Sequence, residues 1–194
     1  MLNKVATSLV VIGLLAGIGA FGVLSIFTGT ANNPDNAFTA GAVEISTSPA
    51  SAFITYSSMA PGDKVTQSLT VSNDGDLEFR YAVTSLADDD DTKGLREQLE
   101  LTIRTIDDTT PLTPCDDFDG ELLYDADDLG SDPAINVIGD PTQGDDSGDR
   151  TLAASGSEVL CFQVELPQGT GDAFQDATTT ATFAFEAEQT TDNP

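Results

Sequence analysis

The stretch that decides the fold is Val65-Thr66-Gln67-Ser68-Leu69-Thr70-Val71-Ser72. Its odd positions read Val, Gln, Leu, Val, and its even positions read Thr, Ser, Thr, Ser. Because successive side chains of a β-strand point to opposite faces, this order gives one mainly apolar face and one hydroxyl face. Turn residues flank the stretch, with Pro61-Gly62-Asp63 before it and Asn73-Asp74-Gly75-Asp76 after it. It therefore predicts one strand of an antiparallel sheet whose apolar face lies on a core.

The same two-residue period recurs along the chain from Phe38 onward. It predicts further strands at residues 40–46, 52–56, 79–86, 99–106, 158–166 and 178–189. In the last of these, Ala181, Phe183, Phe185 and Ala187 share one face. Seven or eight strands in one domain imply two packed sheets, so we predict an all-β, two-sheet antiparallel sandwich over residues 38–190. A jelly roll and an immunoglobulin-like sandwich are the leading arrangements.

The middle of the chain departs from this pattern. Between residues 109 and 150, Pro, Gly and Asp dominate and apolar residues are scattered. Residues 121–124 and 134–138 alone resemble short ordered pieces, so we predict an acidic loop region over about residues 107–150. Residues 93–99 are expected to form one or two helical turns.

The charge balance is strongly acidic. The chain has 33 Asp and Glu against 7 Lys and Arg and no His, which gives a formal net charge of −26. It lacks the cations that displace phosphate counterions, which argues against nucleic acid and anionic lipid as partners. Repulsion among the carboxylates predicts a fold that is more stable in concentrated salt. We interpret the composition as adaptation to a saline setting, such as that of a haloarchaeon. The alternative is an acidic extracellular protein that binds divalent cations diffusely.

Three acidic runs, residues 88–91, 116–119 and 125–130, invite comparison with calcium-binding loops. None has the required spacing: in the third, Leu129 stands where an oxygen ligand is needed, and no Glu closes the loop. We therefore predict solvated acidic loops and no cofactor, with weak diffuse calcium binding as the alternative. Without His there is no Ser-His-Asp triad, His-paired Cys or His-based zinc helix, so we predict no enzymatic activity.

An apolar segment opens the chain. Lys4 is followed by an uncharged stretch that runs to Asp35, and residues 5–24 are mainly Val, Ile, Leu, Ala and Gly. This pattern predicts a hydrophobic signal helix over residues 1–25, cleaved after Ala20 or Ser25, while its length also fits a permanent membrane anchor. We therefore expect a secreted or cell-surface protein that meets signal peptidase during export and the membrane only through an uncleaved segment.

Cys115 and Cys161 are the two cysteines of the chain. In an exported protein thiols tend to oxidise, so we predict that these two form a disulfide. Closing a loop of that length would stabilise the fold by about 4 kcal/mol in the chain-entropy model. Two cysteines and no His leave almost no means of building a zinc site from the usual ligands.

Short motifs occur near both ends of the exported part. The first group comprises Phe27-Thr28-Gly29-Thr30-Ala31, Asn36-Ala37-Phe38-Thr39-Ala40-Gly41-Ala42-Val43-Glu44-Ile45, Met59-Ala60-Pro61-Gly62-Asp63-Lys64 and Asn73-Asp74-Gly75. The second group comprises Ala173-Phe174-Gln175-Asp176 and Phe183-Ala184-Phe185-Glu186-Ala187-Glu188-Gln189. Behind an apolar leader, this combination resembles the camelysin and TasA-type family of secreted fibre proteins. The resemblance covers the two ends of the mature chain and not its middle.

The resemblance implies a jelly-roll sandwich that polymerises outside the cell, with copies of itself as partners. It also implies that an N-terminal segment, freed by signal peptidase, adds a strand to the sheet of the next subunit. The donor candidates are Ile26, Phe27, Thr28, Gly29, Thr30 and Ala31. They lie in a segment over residues 26–37, for which the alternative interpretation is a linker between the signal segment and the domain. Phe27 is the expected anchor, although the family's Phe-Ser-Asp-type start is Phe27-Thr28-Gly29 here.

These observations together predict a secreted structural subunit of an extracellular or biofilm-matrix filament. A monomeric or membrane-anchored surface domain is the alternative. A camelysin-like protease comes third, because the chain has no His.

Overall fold

The computed structural model describes residues 40–52, 54, 55, 58–106, 114–191 and 193. These residues belong to one compact unit that spans residues 40–194. Its strands are β1 (Ile45–Ser48), β2 (Lys64–Asn73), β3 (Phe79–Ala87), β4 (Glu100–Thr105), β5 (Leu122–Asp128), β6 (Ile135–Ile138), β7 (Arg150–Leu152), β8 (Ser157–Glu165) and β9 (Ala181–Gln189). Short 3-10 helices lie at Leu95–Glu97 and Asp172–Phe174. The predicted signal segment and residues 26–37 lie outside the described residues.

The strands form two antiparallel sheets. The first has the order β1-β2-β8-β4-β5. In the second, β3 is central: β9 pairs along its whole length on one side, and β7 and β6 pair with its first and last parts. The predicted all-β, two-sheet antiparallel sandwich is therefore confirmed. In the described part of the chain, no helix is both long enough and apolar enough to span a membrane.

The strand order can be compared with that of the immunoglobulin sandwich. β1, β2, β8 and β4 take the places of strands A, B, E and D, while β3 and β9 take those of C and F. In the immunoglobulin sandwich a further strand, G, pairs with the outer edge of F. Among the residues described, no strand lies beside β9 in that place.

The core lies between the inner faces of the two sheets. Its most buried apolar side chains are at most 2% exposed, and they are Leu69, Val71, Phe79, Tyr81, Val83, Leu101, Ile103, Leu160 and Phe162. Every one occupies an alternate position of β2, β3, β4 or β8, as the period-two pattern predicts. Burying one such side chain contributes about 1.5–3 kcal/mol, so these central strands dominate the stability of the fold.

A polar cluster joins the two sheets beside this core. Tyr81 of β3 donates a hydrogen bond of 2.6 Å from its phenol to Oε1 of Glu158 in β8. Arg150 of β7 donates to both oxygens of the same carboxylate. Burial and the neighbouring Glu158 carboxylate raise the pKa of Tyr81 far above its usual value, so this phenol stays protonated as a donor. The three side chains thus satisfy one another where the two sheets meet.

The turn predicted after β2 is present and is fixed by Asn73, which is 1% exposed. Its Nδ2 donates to the carbonyl oxygens of Leu77, Leu152 and Ala153, and its Oδ1 accepts from the N–H of Gly75. A Cβ at Gly75 would lie 2.3 Å from the carbonyl oxygen of Ala42, so a larger residue cannot occupy this position without a shift of the backbone.

Most predicted strand boundaries agree closely with the structure, but two do not. The strand expected at residues 40–46 begins only at Ile45, because the N–H of Ala42 is held by Asp76 Oδ1 at 2.6 Å rather than by a neighbouring strand. No strand forms at the described positions 52, 54 and 55, where Ile54 instead packs against the core. Phe53 and Tyr56 lie outside the described residues.

The expected acidic loop region is more ordered than the sequence predicts. β5 and β6 overlap the short pieces expected at residues 121–124 and 134–138, but β5 continues through Asp125 to Asp128 as it pairs with β4. β7 pairs with the start of β3 and has too few residues to show a period. The helical turn expected within residues 93–99 is the 3-10 helix Leu95–Glu97.

The predicted disulfide joins Cys115 to Cys161 across 46 residues. Cys161 lies on the outer face of β8, where it is 1% exposed because the chain around Cys115 covers it. Nearby, the guanidinium of Arg104 lies 5.5 Å from the ring centre of Phe118 and donates to the carbonyl oxygen of Gly120. The disulfide and Arg104 therefore hold residues 115–120 against the outside of the first sheet.

Candidate functional site

Two strand edges lack a partner strand among the described residues, and they lie on the same side of the sandwich. β1 pairs with β2 only over residues 70–73, so the edge of β2 is open from Lys64 to Leu69. The edge of β9 that faces away from β3 has no strand beside it in the part of the chain that the structure describes. An open edge presents backbone N–H and C=O groups that can pair with another extended chain.

An apolar groove of about 560 Å³ lies between these two edges. Val65, Leu69 and Val164 of the first sheet line one wall. Ala181, Phe183 and Phe185 of β9 line the other, and Leu99, Leu129, Ile54 and Met59 contribute further apolar surface. The groove therefore continues the hydrophobic core to the surface.

Partial exposure marks this side of the sandwich. Phe162 is fully buried, whereas Phe183, which packs edge-on against it with ring centres 5.1 Å apart, is half-buried. Phe185 and Val65 are half-buried as well, although all of them point inward. Half-buried, inward-pointing side chains therefore line both walls of the groove.

The opposite edge of the first sheet is protected. β5 forms that edge and carries Asp125, Asp127 and Asp128, all of them exposed. Charged residues on an edge strand oppose pairing with further strands. By contrast, residues 45–48 and 65–69 contain no charged residue, and the open part of the β2 edge carries a charge only at its first residue, Lys64, which pairs with Glu165. One edge of the sheet is therefore blocked by charge, while the groove edge is not.

Acidic side chains fix the approach to β9. Thr180 donates its N–H to Asp88 Oδ1 at 2.8 Å, and Thr178 donates its N–H to Asp91 Oδ2 at 2.7 Å. The bonds from the backbone of Thr178 and Lys93 hold the pKa of Asp91 below its usual value. Because this segment is anchored to carboxylates, β9 begins at Ala181 rather than at residue 178. The run at residues 88–91 thus has a structural role here.

Farther along β9, the carboxylate of Glu188 is held on the outer face of the second sheet. It accepts from Arg80 Nε at 2.6 Å and from the N–H of Gly144 at 2.9 Å. The hydrogen bond from Arg80 is the main reason that the pKa of Glu188 lies below its usual value. Both Glu186 and Glu188 point away from the groove, so β9 turns an uncharged inner face towards it.

The donor candidates Ile26, Phe27, Thr28, Gly29, Thr30 and Ala31 lie outside the described residues, so their position remains a prediction. The groove itself was not identified from the sequence. Its signals were the alternation of Phe183 and Phe185 in the last strand and the absence of charge in β1.

The comparisons with known proteins give a family. The chain matches the family described as camelysin metallo-endopeptidase over residues 1–193. The chain belongs to the camelysin family. Membership in this family indicates a secreted or cell-surface protein and agrees with the resemblance drawn from the end motifs.

Other comparisons add little to this assignment. Among solved structures, the ASH / PapD-like domain of human CEP192 (PapD-like domain 7) aligns at 11% identity and a TM-score of 0.30, covering 84% of this chain and 95% of that one. No curated protein sequence matches the chain.

The family description names a metallo-endopeptidase, and the residues of this camelysin-family chain can be tested against that chemistry. The chain has no His, and both of its cysteines are joined in the disulfide. Within the described part of the chain, no three Cys, Asp or Glu side chains are grouped so that they could hold a metal ion. Zinc peptidases hold their metal mainly through His nitrogen, so the donor set does not fit a catalytic zinc site.

Proposed function

We propose that this protein is a structural subunit of an extracellular filament and that its subunits join by strand addition at the groove between β2 and β9. The observation that carries the proposal is the pair of open strand edges on either side of an apolar groove. This is where an immunoglobulin sandwich would hold its strand G beside F. A strand from a second copy would complete the sandwich there.

Two kinds of contact would hold the added strand. Its backbone would pair with an open edge, and alternate side chains would enter the groove and cover Phe183 and Phe185. A six-residue strand is about 20 Å long, shorter than the nine residues of β9, so the edge is long enough to receive it. Each large apolar side chain that becomes buried would contribute about 1.5–3 kcal/mol.

Residues 26–31 have the sequence such a donor needs. In an extended chain Phe27, Gly29 and Ala31 would share one face, and Thr28 and Thr30 would share the other. Phe27 would then enter the groove while the threonines face water. Cleavage after Ser25 would place Ile26 at the new N-terminus and free the donor, whereas an uncleaved leader would keep it tethered.

The experiment that tests this proposal compares two secreted variants. One lacks residues 26–31, and the other, the control, carries Thr28→Ser and Thr30→Ser, which keep the length and apolar face of the donor. We expect negative-stain electron microscopy to show filaments for the control and none for the deletion, with both giving the same β-rich circular dichroism spectrum. Filaments of normal appearance from the deletion would contradict the proposal.

We also propose that the protein is not a peptidase. This proposal is supported by the lack of His and by the disulfide that occupies both cysteines. We expect purified protein to leave casein uncut with or without added zinc. Proteolysis that a chelator abolishes, and that co-purifies with the protein at constant specific activity, would instead favour the enzyme named in the family description.

A further inference from the structure

The outer face of β1 and β2 has an unusual composition for so acidic a protein. Its outward residues are Ser46, Ser48, Thr66, Ser68, Thr70 and Ser72, which we call the hydroxyl face. The register places Ser46 opposite Ser72 and Ser48 opposite Thr70, so hydroxyls lie side by side across the two strands. Ser46 and Ser48 are exposed, and the four others are half-buried.

This face contains no charge. Residues 45–48 and 65–73 include no Asp, Glu, Lys or Arg in a chain with a formal net charge of −26. On β8, which lies beside β2, Glu158 points inward to Tyr81, while Ser157, Val159 and Gln163 point outward. Among the described residues, charge returns at the ends of the face, with Glu44 before β1 and the Lys64–Glu165 ion pair at the start of β2. It also returns beside the face, with the exposed Asp116 and Asp117 of the segment that covers Cys161.

The chemistry of the hydroxyl face makes a second copy its best partner. Two copies of this chain repel each other wherever carboxylates meet, and that repulsion is smallest where neither surface carries charge. A serine or threonine hydroxyl both donates and accepts hydrogen bonds, so a hydroxyl surface is complementary to itself, whereas a carboxylate surface is not. The short side chains of β1 and β2 let another chain approach these two strands closely, whereas residues 115–120 already cover the outer side of β8 and β4.

We propose that the hydroxyl face is a self-association surface, on which two copies pack back to back through β1 and β2. The contact is isologous, because the same residues of both copies form it. It is separate from the groove, which opens between the edges of the sandwich, and it does not depend on residues 26–31. In a filament, this contact would join neighbouring filaments side by side.

Sedimentation velocity tests the contact in the absence of filaments. The chain that lacks residues 26–31 is measured in molar NaCl with and without the pair Ser48→Glu and Ser72→Glu. The control pair is Asn136→Glu and Thr151→Glu, two exposed positions on the outer face of the second sheet that add the same charge. We expect dimers for the parent and the control and monomers for the face variant, with all three equally folded by circular dichroism.

A charge-complementation arm identifies the face on both copies. Mixing the Ser48→Glu/Ser72→Glu chain with a Ser48→Lys/Ser72→Lys chain is expected to restore a dimer that neither forms alone. A parent that stays monomeric at every salt and protein concentration would overturn the proposal. Equal weakening by the face and control pairs would overturn it too.

The two proposals fail separately. Dimers of the deletion chain together with no filaments from the intact chain would leave this contact standing and remove the strand-addition proposal. Intact chains whose filaments run singly would remove the contact and leave strand addition standing. Bundled filaments whose lateral spacing the Ser48→Glu/Ser72→Glu pair leaves unchanged would do the same.

Discussion

The ring of Phe183 in β9 packs edge-on against the ring of Phe162 in β8, with their centres 5.1 Å apart. Phe162 is fully buried, whereas Phe183 keeps part of its surface accessible because it lies at the wall of the groove. The two rings mark the point where the closed core becomes an open edge. The proposed assembly would place an added strand along this wall, over the half-buried side chains of Phe185 and Val65.

A carboxylate placed in the groove should prevent assembly without unfolding the domain. Ala181 is half-buried and lines the groove, whereas Ala184 is exposed on the other face of the same strand. We expect Ala181→Glu to abolish filaments in negative-stain images, because a charge pointing inward opposes the apolar strand that must enter. Ala184→Glu adds the same charge to the same strand and should leave filaments intact. If both variants assemble equally well, the groove is not the joining site.

Stability should increase with salt. The Debye length shortens from about 8 Å at physiological ionic strength to about 3 Å at 1 M, which screens repulsion among the carboxylates of this chain. We therefore expect the melting temperature to fall as NaCl is lowered from molar to physiological concentration. Sucrose at matched osmolality should not restore the melting temperature that is lost when NaCl is lowered. A melting temperature indifferent to NaCl would contradict the interpretation of the charge.

Loss of the disulfide should destabilise the fold substantially. The pair Cys115→Ala and Cys161→Ala opens a loop of 46 residues, which in the chain-entropy model costs about 4 kcal/mol of unfolding free energy. Urea unfolding followed by circular dichroism measures this difference. Reducing agent should lower the midpoint of the parent and leave that of the double variant unchanged; equal midpoints without reductant would argue against the assigned role.

The ion pair between Arg80 and Glu188 should make stability depend on pH. Because Arg80 lowers the pKa of Glu188 in the folded state, the pair stabilises the fold above pH 4.5, the ordinary pKa of the side chain. This contribution is lost as pH falls through the lowered folded pKa. We expect the difference in unfolding free energy between the parent and Glu188→Gln to shrink on acidification. Glu186→Gln, which removes the same charge from the same face without breaking the bond to Arg80, is the matched control.

The central strands were predictable because their side chains obey one strong rule. In β2 and β8, inward positions such as Leu69 and Leu160 are mostly apolar and outward positions are mostly polar, so the period defines both the strand and its buried face. β5 was predicted short because Asp125 to Asp128 are poor strand formers, and their place is set by pairing with β4. β7, with three residues, is defined by its partner β3 and has no pattern of its own.

The candidate site was predictable only in part. The alternation of Phe183 and Phe185 predicts an apolar face, but whether that face is covered depends on which strands become neighbours. Partner choice is a tertiary property: β9 pairs with β3, whose residues lie 94 to 110 positions earlier in the chain, and β1 stops short of Leu69. No local period in the sequence records where a sheet ends, so the groove could be recognised only once the strand order was known.

Trapping a donor from one subunit on the edge of another tests strand addition most directly. One chain carries Thr28→Cys or Thr30→Cys, and a second, differently tagged chain carries Thr182→Cys or Ala184→Cys, both exposed positions on β9. Paired residues of adjacent strands lie about 4.5–5.5 Å apart at their Cα atoms, within the range that a disulfide spans. After mixing and mild oxidation, we predict a disulfide-linked pair containing both tags, which Phe27→Asp in the donor chain abolishes. A third chain carries both a donor cysteine and a β9 cysteine. If it cross-links within itself while the two differently tagged chains form no linked pair, assembly by strand exchange between subunits is contradicted.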